Sequence, residues 1–207
     1  MSSDPTLHQE MPNLYLLGFM GTGKSVLGKR LASRLHCKFL DSDTAIEKKY
    51  SMTVKDIFAR YGEEKFRQME REFMDGGHPS SGCVVACGGG LVCRDNMPEL
   101  VKSKGVSVVL FSTPEEILER TSRNRDRPLL NCPNPLEKIN TLLKERIPFY
   151  MRSGIAIAAD KNLKVTEARI LRIYNARLRA LGYGKKNRKR QSFQPQNKAK
   201  SPPQASK

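Results

Sequence analysis

Gly18-Phe19-Met20-Gly21-Thr22-Gly23-Lys24-Ser25 satisfies the phosphate-binding pattern G-x-x-x-x-G-K-[ST] at every specified position. Asn13-Leu14-Tyr15-Leu16-Leu17, just before it, reads as a short buried strand. From Ser25 onward, Leu27, Leu31 and Leu35 recur on one helical face. Strand, glycine loop and helix together turn the pattern into a site. Glycines let backbone N–H groups wrap around phosphate oxygens, and the helix N-terminus adds partial positive charge. The expected cradle is Gly21, Thr22, Gly23, Lys24, Ser25 and Val26. Lys24 neutralises the β and γ phosphates, and Ser25 offers its hydroxyl to Mg²⁺.

Working outward, a chain of 207 residues can hold one α/β domain with a real core. No run approaches the roughly 18 apolar residues of a membrane span. The start, Met1-Ser2-Ser3-Asp4, lacks the basic opening of a signal peptide, so a cytoplasmic protein is expected. Five cysteines without a C-x-x-C pair fit reduced thiols better than a disulfide scaffold. Cys83, Cys87 and Cys93 have no second knuckle that would make a zinc site.

The net charge of +16 divides into two parts. Eight of the 37 basic residues and none of the acids fall between Gly184 and Lys207, so the body keeps 29 basic against 21 acidic residues, a net +8. That tail cannot bury apolar surface and is expected to be disordered. It is either a solubilising extension or a weak, salt-sensitive attractor of polyanions.

Along the chain, Cys37-Lys38-Phe39-Leu40 reads as a second strand ending at Asp41-Ser42-Asp43. Acids at the C-terminal end of a strand lie where open α/β sheets bind ligands, although they also suit a helix start. Thr53 with Asp56 begins a helix whose apolar face is Val54, Ile57, Phe58 and Tyr61, and Gly62 breaks it. A further helix turns Phe66, Met69 and Phe73 inward. On it Arg67 and Glu70, three apart, can pair, and Arg67 alone is either a solvated charge or a ligand contact.

Cys83 to Cys87 is a compact apolar strand running into Gly88-Gly89-Gly90, either a flexible turn or a close approach of backbone to something. Val106 to Phe111 is a buried strand, and Thr113-Pro114-Glu115-Glu116 starts a helix. Residues 120–133 form a polar connection carrying Arg120, Arg123, Arg125 and Arg127, a solvated loop or a lid over a triphosphate. Asn134-Pro135 begins a helix with Leu136, Ile139, Leu143 and Ile147 on one face. Arg146 falls near its end and Pro148 closes it. Gly154 to Ala158 is a last strand, before a helix from Thr166 to Leu181. This alternation predicts an α/β fold with a mostly parallel, helix-covered sheet, and leaves the strand order open.

With these pieces in order, the chain resembles the shikimate kinases over roughly Asn13 to Gly182. The matching segments are the phosphate loop, Asp41-Ser42-Asp43, Gly62-Glu63-Glu64-Lys65-Phe66-Arg67, Gly88-Gly89-Gly90, Arg127-Pro128-Leu129-Leu130, and Glu145-Arg146-Ile147-Pro148-Phe149-Tyr150. The resemblance implies a three-layer, five-stranded parallel P-loop kinase domain over 1–183. It also implies a substrate-binding helical region near 42–75 and a lid near 120–133. The implied reaction transfers the γ-phosphoryl of ATP to the 3-hydroxyl of shikimate, in aromatic amino-acid biosynthesis. Asp43 then orients and deprotonates the hydroxyl. Arg67 and Arg146 hold the carboxylate, and Gly88, Gly89 and Gly90 face the ring. Asp41 reaches Mg²⁺ through water alongside Ser25, Arg127 contacts the transferring phosphate, and Arg120 lies against adenine. A monomer is expected. The alternatives are another small-molecule kinase of this fold, acting on gluconate or a nucleoside monophosphate, and a kinase-like binding module whose tail docks on nucleic acid.

Overall fold

The computed structural model describes residues 11–94, 96–122, 130 and 132–183. The expected tail disorder, most of the lid, and Arg127 lie outside the described residues. Five strands are present: β1 (Asn13–Gly18), β2 (Lys38–Asp41), β3 (Cys83–Ala86), β4 (Gly105–Phe111) and β5 (Ile155–Ala158). The described helices are α1 (Lys24–Leu35), α2 (Ser42–Tyr50), α3 (Val54–Gly76), α4 (Met97–Lys104), α5 (Pro114–Ser122), α6 (Pro135–Ser153) and α7 (Leu163–Ala180).

All strands run parallel, in the order β2-β3-β1-β4-β5. The sequence pattern could not reach this order, because it depends on pairings between distant segments. β1 is the centre, and its six residues are all buried. Strand alternation divides its side chains between two cores. Leu14 and Leu16 pack with Leu27 and Leu31 of α1 and Ile170 and Tyr174 of α7. Tyr15 and Leu17 pack on the opposite face with Ile46, Ile57, Phe66, Ile117 and Ile139, which come from α2, α3, α5 and α6. Leu31 is fully buried, so Leu31→Ala would cost about 2–5 kcal/mol through reduced burial and the cavity left behind.

Register lines up the strand ends. Asp41 pairs with Ala86, Leu16 also pairs with Ala86, and Gly18 pairs with Leu110. The segments leaving β1, β2 and β3 therefore emerge side by side. Cys87 N–H donates to Leu16 O at 3.0 Å, and Gly88 N–H donates to Ser42 Oγ at 2.8 Å, pinning the triple glycine between β1 and the start of α2.

Gly62 has φ 76° and ψ 175°, so the expected break is present: α3 is two helical segments that meet at a kink there. Several other local expectations need correction. Tyr61 is 46% exposed and does not belong to the apolar face. Pro148 does not close its helix, since α6 runs on to Ser153. The interior proline costs about 3 kcal/mol. Against that, the last turn buries Tyr150 completely and pairs Arg152 with Glu99 at 2.9 Å. Ile147 is exposed, and the inward face of α6 is Ile139, Leu142, Leu143, Arg146 and Tyr150. Arg120 lies within α5 and not in the following connection. α4, for which the sequence pattern gives no expectation, begins at Met97-Pro98 without a side-chain cap.

Candidate active site

The phosphate loop leaves β1 and turns into α1 at Gly23, whose φ of 91° is a conformation that strains any residue with a Cβ. Lys24 Nζ donates to the carbonyls of Gly18 and Phe19, both at 2.8 Å, so the loop's own backbone holds the ammonium group across its mouth. Thr22 Oγ1 donates to Phe19 O at 2.8 Å and braces the loop. Ser25 Oγ donates to Asp41 Oδ2 at 2.7 Å. The other oxygen of Asp41 accepts from Asp43 N–H at 3.2 Å, capping α2. Asp41 therefore caps a helix and also faces the phosphate loop.

These groups line a cleft of about 380 Å³ that includes Gly21, Gly23, Lys24, Ser25, Val26, Asp41, Asp43, Gly88, Gly89 and Arg120. Arg120 Nη1 donates to Gly21 O at 3.3 Å and to Ser112 Oγ at 3.1 Å, fixing a guanidinium at the loop's edge.

Beyond the glycines lies a second set of charges. A Cβ on Gly88 would stand 2.5 Å from Asp43 Oδ1 and 2.8 Å from Glu70 Oε1. A Cβ on Gly90 would stand 2.5 Å from Arg67 Nη1. The triple glycine is therefore a close approach of backbone to charged side chains, and not a loose turn. Arg146, nearly buried, donates to Gly89 O at 3.4 Å and sits 5.4 Å over the Phe19 ring. Tyr150, one turn on, donates to the same carbonyl at 2.5 Å. Asp43, Arg67 and Arg146 thus converge on one glycine turn that shares the cleft with Lys24.

Arg67 is held from two sides. Nη1 donates to Glu70 Oε2 at 2.6 Å, and Nη2 donates to Glu63 Oε1 at 2.6 Å. Burial pulls its pKa down, but the two carboxylates outweigh that and hold it above the ordinary value. Burial pushes Glu70 up to about 7 against the pull of Arg67. Its Oε1 is buried with no hydrogen-bond partner among the described residues. Burial also raises Asp43, with Asp41 adding to the rise and Lys24 and Ser42 opposing it.

The expected pairing of Arg67 with Glu70 is present, whereas sequence reasoning assigns no role at this site to Glu63 or Tyr150, which also contact it. Their signal is present as spacings of four residues from Arg67 and Arg146 on the same helices. The five cysteines are free thiols. Among the described residues no group of three or more His, Cys, Asp or Glu is placed to hold a metal by itself. No described helix is long and apolar enough to cross a membrane.

A five-stranded parallel sheet with a phosphate loop at its central strand, an acid across the cleft and arginines beyond it defines a P-loop kinase of small molecules. A family profile for shikimate kinase matches residues 20–175. The shikimate kinase of a Sulfurihydrogenibium species is 44% identical over 151 residues, covering 73% of this chain and 90% of that one. That of Caldanaerobacter subterraneus subsp. tengcongensis is 38% identical over 165 residues, covering 79% and 96%. Among solved structures, the shikimate kinase of Acinetobacter baumannii in complex with shikimate superposes with a TM-score of 0.78. It is 34% identical and covers 83% of this chain and 97% of that one. The chain belongs to the shikimate kinase family and is an ATP-dependent kinase.

Proposed function

We propose that the cleft binds ATP along the phosphate loop and shikimate against Gly88 to Gly90, and transfers the γ-phosphoryl to the 3-hydroxyl. The observation that carries this reading is the convergence of Asp43, Arg67 and Arg146 on one glycine turn, of which Gly88 and Gly89, together with Asp43, line the cleft that holds Lys24. Two forked guanidinium groups suit a carboxylate, because each can bind it with two parallel hydrogen bonds. The substrate carboxylate competes for Arg67 with Glu63, whose side chain is half-exposed and free to move aside.

Asp43 takes the hydroxyl proton. Its raised affinity for protons makes it a stronger base than an ordinary carboxylate, and it lines the cleft beside Gly88. Lys24 offsets the charge that builds on the β and γ phosphates. Arg120 flanks the nucleotide on the adenine side. Arg127, assigned through its motif, offers a further guanidinium to the transferring phosphate.

The donor set at the loop fits Mg²⁺. Ser25 Oγ and Asp41 Oδ2 are hard oxygens that already meet at 2.7 Å, and one or two protein oxygens plus phosphate is the usual magnesium arrangement. Bound there, the ion would add positive charge on the phosphates. Free thiols at all five cysteines support a reducing, cytosolic setting, and the proposed working form is a monomer. The basic stretch after Tyr183 adds weak, salt-sensitive attraction for polyanions.

A coupled assay of ADP release with purified protein, ATP and Mg²⁺ tests the reading. Turnover is expected with shikimate and at background with gluconate or nucleoside monophosphates. Turnover with either of the latter alone would overturn it.

A further inference from the structure

The charge of the folded body is concentrated on one layer. α1 and α7 carry nine Lys or Arg and a single acid, Glu167. The rest of residues 1–183 carries twenty basic and twenty acidic residues, so the whole excess of the body lies on these two helices. Lys24 serves the phosphate loop. The other eight are on the side of the sheet that α1 and α7 cover together, away from the substrate turn.

Elsewhere some surface cations pair with acids: Lys49 with Glu72, Arg71 with Asp75, Arg94 with Glu64 and Arg152 with Glu99. Others, such as Lys55, Lys102 and Lys138, have no ion pair among the described residues but stand among acids that balance them in number. On this layer Lys29, Lys164, Arg172, Arg177 and Arg179 have no ion pair among the described residues, and all five are exposed. The one acid is used to organise the face. Glu167 is buried and bridges the helices, accepting from Arg30 Nε at 2.7 Å and Arg34 Nη1 at 3.0 Å, while both guanidinium groups remain open to solvent. Arg172 and Arg179, seven residues apart, fall on one stripe of α7 about 10 Å apart along its axis. The chain continues from α7 into a stretch with eight basic and no acidic residues.

We infer that the α1–α7 face binds the phosphodiester backbone of duplex nucleic acid, independently of base sequence. Six of the eight cations are arginines, whose planar fork matches phosphate oxygens. Neither helix exposes an aromatic side chain on which an unpaired base could stack. The large apolar side chains exposed on the two helices are Val26 and Val165, too few to enter a bilayer. Backbone contacts of this kind position a protein without reading sequence and weaken steeply with salt.

The test is fluorescence anisotropy of a labelled 20-base-pair DNA duplex with the full chain across a salt series. The triple variant Arg172→Glu, Arg177→Glu, Arg179→Glu is expected to lose at least about tenfold in affinity. Its log–log salt slope should become shallower by roughly 2–3, near 0.9 for each phosphate that is no longer neutralised. Kinase turnover, whose residues lie elsewhere, should stay at the parent level and serves as the folding control. A matched triple, Lys55→Glu, Lys102→Glu, Lys138→Glu, removes the same charge from other exposed positions and should bind the duplex almost as the parent does. The inference fails if the first variant binds like the parent, which would assign binding to the C-terminal stretch. It also fails if the matched variant is weakened as much, or if the parent prefers phosphatidylserine vesicles to the duplex.

Discussion

Arg67 and Glu70 meet at 2.6 Å one turn apart on α3, and the meeting satisfies only one oxygen of the buried carboxylate. The second oxygen faces Gly88 and the acid of Asp43. Glu70 therefore orients the guanidinium while remaining easy to protonate. An unfolded Glu70 titrates at the ordinary value of 4.5, the folded one at about 7. Between those values the folded protein holds a proton that the unfolded chain has released, so stability falls as pH rises through the window and levels off above it. Asp43, also raised, contributes a slope of the same sign. Urea midpoints measured from pH 5 to 8 should decline for the parent and flatten in Glu70→Gln. An unchanged slope in that variant would mean Glu70 is ionised throughout.

Arg67→Lys keeps a positive charge and removes the fork. A single ammonium cannot serve Glu63, Glu70 and a substrate carboxylate together. Removing one charge-assisted hydrogen bond costs roughly 1.5–3 kcal/mol, so KM for shikimate should rise about 10- to 100-fold. KM for ATP should hardly move, because Arg67 lies on the far side of the glycine turn. An equal rise for both substrates would place Arg67 wrongly.

Asp43 is assigned as the base in the proposed reaction. Desolvation raises the proton affinity of this half-buried residue, and the neighbouring Asp41 adds to the rise. Asp43→Asn should lower kcat by about 10²- to 10⁴-fold, the usual contribution of a positioned base. The same change relieves a like-charge contact with Asp41, so the melting temperature should rise by a few degrees, about 2–4 °C per kcal/mol for a chain this size. Binding of a fluorescent ATP analogue should persist. A variant that turns over normally would remove Asp43 from the mechanism.

Much of this is legible in the sequence. The phosphate loop, the acids after β2 and the glycines after β3 announce themselves because each stands at a strand end, where backbone and ligand meet. What stays hidden depends on long-range pairing. The β2-β3-β1 order brings Asp41 beside Ala86 and so places Asp43 against Gly88, and no local pattern encodes that. Pro148 misleads for a related reason: a propensity is outweighed by the burial of Tyr150 and its bond to Gly89 O. Arg120 reads as part of the next segment because the polarity of α5's last turn resembles a loop.

The triple glycine offers the sharpest steric test. Neither Gly88 nor Gly90 has a positive φ, so alanine is conformationally allowed at both, and any penalty must come from space. At Gly88 the new Cβ would press on Asp43 Oδ1 at 2.5 Å and Glu70 Oε1 at 2.8 Å. Asp43 has little room to retreat, since Ser42 Oγ lies 3.3 Å from that same oxygen and Asp41 holds its backbone N–H. Gly88→Ala should therefore displace the base and lower kcat by at least about tenfold, because small misplacements of reacting groups are costly. At Gly90 the Cβ would meet the long Arg67 side chain, which can swing aside at the expense of its carboxylate-binding pose. Gly90→Ala should raise KM for shikimate and spare kcat at saturation. Steady-state kinetics on the two variants separate the effects, and the reverse pattern would mean that Asp43 and Arg67 have exchanged the roles assigned to them.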